Sequence, residues 1–161
     1  MTNFNTTAKI YRLNYLKKNK LLTFSSVADR ILPADENSPG GGSLETAAVV
    51  DWYMKKVPED IRKKILLFLD VIQFTGIFFG GKKFSNNSIQ DQEKQLKWME
   101  NNKIRLFRMG FFGIKTFVEM GYYTREEIWS AICYDGPVLP DRAYSDNTIR
   151  ELCRNQLKIS E

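Results

Sequence analysis

The sequence predicts an all-α fold, a single domain of about five or six helices around two central ones at 58–79 and 104–120. Three observations lead there. Apolar residues recur at spacings of three or four, most clearly in those two stretches. Most of the periodic stretches open on Ser, Thr or Pro and close on Gly or Pro, the residues that start and stop helices. No run alternates apolar with polar residues as a half-buried strand does. A chain of 161 residues suits one domain and buries roughly 70% of its unfolded surface, enough for a core without staples.

Residues 1–21 are polar and basic, with Lys17, Lys18 and Lys20 clustered, and read as a solvated arm. Thr23 is placed to cap a helix from Phe24, whose apolar face is Val27, Ala28, Ile31 and Leu32. Pro33 stops it, because proline disfavours helix in the residue before it. The stretch 34–43, ADENSPGGGS, reads as a flexible connection. Its three glycines lack the preceding strand and following lysine of a phosphate loop. Ser43 caps the next helix, 44–57, with Glu45 in its first turn. Pro58, Glu59 and Asp60 then open the most apolar helix.

That helix, 58–79, carries Ile61, Ile65, Phe68, Leu69, Ile72 and Phe79 on one side and Leu66, Leu67, Val71, Phe74, Ile77 and Phe78 on another. Such a helix belongs at the centre of a fold or an interface. Its apolar run contains Asp70 and Gln73 and falls short of the about 20 residues a membrane span requires. The run GIFFGGKK at 76–83 nearly matches a phosphate loop, but Lys83 stands where the hydroxyl belongs. Its glycines read as a helix stop. A turn at Asn86, Asn87 and Ser88 leads into a short helix over 89–99. The helix 104–120 shows a stripe of Ile104, Phe107, Phe111, Ile114 and Phe117. Gly110 and Gly113 within it mark a tight helix crossing, and Gly121 ends it. Thr124 and Glu127 have the spacing of a capping box for a helix holding Ile128, Trp129, Ile132 and Cys133. Asp135-Gly136-Pro137 turns the chain, and 141–161 is a polar tail with room for a short helix over 147–157.

Composition narrows the function classes. The chain has no histidine, so no Ser-His or Cys-His nucleophile is available and the usual zinc and iron ligands are missing. Cys133 and Cys153 form no CxxC motif and read as free, buried thiols, with pairing or a bridge to a partner left open. The net charge of +5 is a mild basic excess. It keeps open an alternative, a basic helical module for nucleic acid or another anionic partner. Residues 1–24 contain neither a secretory signal nor a twin arginine. No residue is assigned to catalysis, cofactor or metal. The candidate site is a partner interface, because aromatic residues anchor interfaces. Its members are Trp52, Tyr122, Tyr123, Trp129, Cys133, Tyr134, Asp135, Gly136 and Pro137.

Two stretches carry a family resemblance. One is VADRILPADENSPG at 27–40 followed by AVVDWY at 48–53; the other is GYYTREEIWSAICYDGP at 121–137. In order and spacing they resemble the gluconate 2-dehydrogenase subunit 3 family over roughly 22–140. Its members are small, or gamma, subunits of flavin-dependent sugar and alcohol dehydrogenases with a catalytic subunit of the GMC fold. The resemblance implies a non-catalytic subunit that binds and matures that flavoprotein. FAD is then expected in the partner and no cofactor in this chain, with a cytochrome c subunit where the complex has one. The resemblance also implies a periplasmic complex, whereas an N-terminus complete without a twin arginine implies a cytoplasmic one. Cys133 stands where many members have glycine before the turn.

Overall fold

The computed structural model describes residues 13–36 and 38–134, and every regular element among them is helical. The elements are α1 (Asn19–Ile31), α2 (Leu44–Met54), α3 (Glu59–Thr75), α4 (Ile77–Gly80), a 3-10 turn (Phe84–Asn86), α5 (Ile89–Glu100), α6 (Arg105–Tyr123) and α7 (Glu126–Trp129). The protein is all-α. It divides into two units, Met1–Tyr122 and Tyr123–Glu161. That division falls inside the stretch 22–140 that the sequence reading treats as one domain. The tail from 141, with its expected helix, lies outside the described residues.

In the first unit α3 and α6 line the core as expected, and α1 joins them. Helix α1 packs on α2, α3, α5 and the 3-10 turn. Thr23, Phe24, Val27 and Ala28 are its buried face. Thr23 is therefore interior rather than a cap: its hydroxyl donates to the Asn19 carbonyl (2.8 Å) and the helix starts at Asn19. The lysine cluster is the entry to this helix, not a free tail. Lys20 is ion-paired with Asp70 and also donates to the Leu66 carbonyl (2.6 Å).

The segment ahead of α1 is held by one side chain. Asp51 is 3% exposed and accepts from the backbone N–H groups of Asn14, Tyr15 and Leu16, each at 2.7 Å. Leu16 is buried completely, and the Arg62 guanidinium lies 4.6 Å from the Tyr15 ring. Residues 13–18 thus dock where a solvated arm was expected. The physical reason is that three converging N–H donors satisfy a buried carboxylate.

The glycine run is also docked. An added Cβ at Gly42 would lie 2.4 Å from the Asp29 carboxyl carbon, and at Gly41 2.8 Å from the Ala28 carbonyl oxygen. Gly42 donates its N–H to Asp29 (2.8 Å). These glycines let the connection lie against α1, so it is a fitted strap rather than a flexible link. Ser43 caps α2 as expected, accepting from the Thr46 N–H. Ser88 caps α5 in the same way, accepting from Asp91.

The long apolar helix is interrupted at Gly76, where a Cβ would stand 2.4 Å from the Phe84 nitrogen. Helix α3 ends there, the short α4 follows, and Gly81 closes it in the left-handed conformation (φ 71°), as the stop reading requires. Buried glutamines join these pieces. Gln73 and Ser85 bond reciprocally, Gln92 donates to the Phe84 carbonyl, and Gln95 donates to the Ile72 carbonyl and to Thr75. Helix α6 runs through Gly121 to Tyr123. Gly121 is a contact rather than a stop, because Thr46 and Val50 of α2 fill the space its Cβ would need. No helix among the described residues is long and apolar enough to cross a membrane.

Candidate functional site

The sequence-predicted interface residues fall into both units. Trp52 lies on the outer side of α2, opposite buried Val50, Asp51 and Met54, and is 55% exposed. It meets Tyr53 edge to face (5.6 Å), and Lys56 Nζ lies 4.0 Å from its ring centre. This is an aromatic pair with a cation over it, presented to solvent.

Tyr122 ends the buried face of α6 and is 4% exposed, so it is a core residue of the first unit. The helical period explains this: Phe111, Ile114, Val118 and Tyr122 share one face. In the second unit, Tyr123, Cys133 and Tyr134 are exposed and Trp129 is half-buried. The Trp129 indole N–H donates to the Tyr123 carbonyl (2.8 Å), and its ring meets Tyr134 edge to face at 5.5 Å. Trp129 is thus a brace that sets Tyr123 and Tyr134 around one turn. Asp135, Gly136 and Pro137 lie outside the described residues.

The helix here opens at Glu126 with Arg125 as N-cap, one residue later than the Thr124–Glu127 spacing suggests. Glu127 is ion-paired with Arg125, whose side chain is 8% exposed. The end of this turn is specific. Tyr134 N–H donates to the Trp129 carbonyl (2.8 Å) and Cys133 N–H to that of Ser130 (3.4 Å). That pairing is the Schellman pattern, with Cys133 in the left-handed position that favours glycine (φ 55°). Cys133 is exposed and disulfide-bonded, which corrects the reading of a free, buried thiol. The reason is positional, since a left-handed residue just past a helix end points its side chain away from the helix.

Other apolar groups outside the expected interface are exposed as well. On α3 and α4, Leu67, Phe74 and Phe78 recur along one side and are 62%, 56% and 86% exposed. On α6, Leu106, Met109 and Phe112 are 68%, 53% and 65% exposed. An apolar residue seven or eleven positions from another signals a helical stripe, but not which of two stripes is buried. A mixed-charge cleft of about 490 Å³ lies where α1, α5 and α6 meet. Arg30, Lys97 and Lys115 face Glu93, Glu100 and Glu119 there, and Lys115 pairs with Glu100 (3.8 Å). Among the described residues no group of three or more His, Cys, Asp or Glu side chains is placed to hold a metal. Compared with models of protein families, with curated proteins and with solved structures, the chain matches none.

Proposed function

We propose that this chain is a non-catalytic small subunit that binds and matures a GMC-type, FAD-dependent dehydrogenase acting on a sugar or alcohol. The single observation behind this reading is exposure within the motifs that carry the family resemblance. Trp52, Tyr123 and Tyr134 sit in those motifs and are 55%, 42% and 43% exposed. Large aromatic side chains of this kind are strong interface anchors, because they bury much area at low cost in rotamer freedom. The motif carboxylates, by contrast, support the fold: Asp29 holds Gly42, Asp35 accepts from the Ser38 N–H (2.7 Å), and Asp51 holds 14–16. A disulfide at Cys133 agrees with an oxidising compartment, where such a complex would work.

Co-expression with a tagged GMC flavoprotein tests the reading. The chain co-purifies with it and raises its yield of FAD-loaded protein. Trp52→Ala with Tyr134→Ala lowers retention by roughly tenfold or more, as loss of anchor residues does. A chain that stays monomeric beside the flavoprotein and leaves its FAD content unchanged refutes it.

A further inference from the structure

The tips of α4 and α6 meet through Trp98 of α5 and carry exposed apolar side chains that this reading does not use. Three rings link them: Phe79 meets Trp98 at 5.6 Å, and Trp98 meets Phe107 at 4.9 Å. Their neighbours in sequence point outward. Phe78 is 86% exposed and Leu106 68%, with Ile77 and Met109 beside them at 50% and 53%. The charged residues within these two segments have one sign. Neither 74–83 nor 101–112 contains a carboxylate, while Lys82, Lys83, Lys103, Arg105 and Arg108 lie within them. Of these cations Lys82, Lys83, Lys103 and Arg105 have no ion-pair partner among the described residues.

We propose that this surface docks on an anionic phospholipid bilayer, with the apolar tips entering the interface and the cations meeting the headgroups. The local order of residues fits that occupant. Helix α4 ends at left-handed Gly81, and Lys82 and Lys83 follow at once, so apolar and cationic groups lie next to each other. Interfacial segments combine large apolar side chains with Lys and Arg whose stems run along apolar surface and whose charges reach the headgroups. A nucleic acid is less well served, because aliphatic Leu106, Met109 and Ile77 offer a base neither a stacking ring nor a hydrogen bond. The chain attaches peripherally, since no helix among the described residues spans a bilayer.

Vesicle flotation of the full chain tests this. Vesicles of phosphatidylcholine with about 30% phosphatidylglycerol retain the chain, pure phosphatidylcholine retains much less, and binding falls with added salt. Phe78→Ser with Leu106→Ser lowers binding roughly tenfold or more while circular dichroism stays unchanged, because both side chains are exposed. Lys82→Glu with Arg105→Glu removes the preference for anionic lipid. Trp52→Phe with Trp129→Phe leaves Trp98 as sole reporter, and brominated phospholipid then quenches its emission. Absence of flotation on anionic vesicles at low salt overturns the proposal. So does an unaltered affinity of the Phe78/Leu106 variant, or retention on duplex DNA or an acidic protein without retention on vesicles. Loss of flavoprotein co-purification in that same variant also overturns it, because the surface would then be a protein interface. Failure of the accessory-subunit reading leaves the vesicle result unaffected.

Discussion

Asp51 shows how much one residue settles here. Its side chain is buried, has no ion-pair partner among the described residues and accepts three backbone N–H groups from a segment more than thirty residues away. Charge-assisted bonds to buried groups are worth about 1.5–3 kcal/mol each in the unfavourable sense when one partner is removed, and they do not add. Asp51→Ala therefore lowers unfolding free energy by about 3 kcal/mol, read from urea titration, and exposes 13–18 to protease. Cys133 makes a different point. Its left-handed φ of 55° disfavours any side chain, and the disulfide is a separate contribution. Cys133→Gly and Cys133→Ala both lose the disulfide, so their difference isolates the backbone term. The glycine variant protects amides of 126–134 from hydrogen exchange by about 1 kcal/mol more than the alanine variant.

At the scale of elements, the two glycines inside α6 separate sharply. The sequence marks both Gly110 and Gly113 as close-approach sites, and only one is. A Cβ at Gly110 would stand 2.3 Å from the Phe68 ring of α3, whereas nothing lies within 4 Å of one at Gly113. Gly110→Ala accordingly destabilises by about 1–3 kcal/mol through overpacking, and Gly113→Ala stabilises by up to about 1 kcal/mol through helix propensity. Thermal or urea unfolding of the pair gives opposite signs. Local signals place the elements well: Ser43, Ser88, Pro33 and Gly81 each start or stop a helix where their chemistry says they should. The misplacements come from long-range contacts. Helix α1 begins four residues before Phe24's expected cap because Lys20 is held by α3, and α6 passes Gly121 because α2 needs that space.

For the whole molecule, exposed apolar surface is the property to account for. Among the described residues seventeen large apolar side chains are exposed, well beyond the scattered few that need no explanation. The chain alone therefore binds a dye such as ANS strongly. If the flavoprotein covers Trp52, Tyr123 and Tyr134 and anionic lipid covers Phe78 and Leu106, the two partners reduce dye fluorescence additively. Competition between them in the same measurement would mean one shared surface. The candidate site was only partly legible beforehand: residue type nominated Trp52, Tyr123 and Tyr134, but type could not separate exposed Tyr123 from buried Tyr122 one position away.

By itself the sequence determined the helical class, most helix starts and stops, and the absence of histidine chemistry. These follow from period, capping and composition, which act over a few residues. Only the tertiary structure decided which apolar stripe of α3 and α6 is buried, which glycine is a contact, and that Asp29 and Asp51 clamp backbone. Each of these depends on a partner far along the chain. Burial and close approach belong to pairs of surfaces, and neither surface of a pair specifies the other locally.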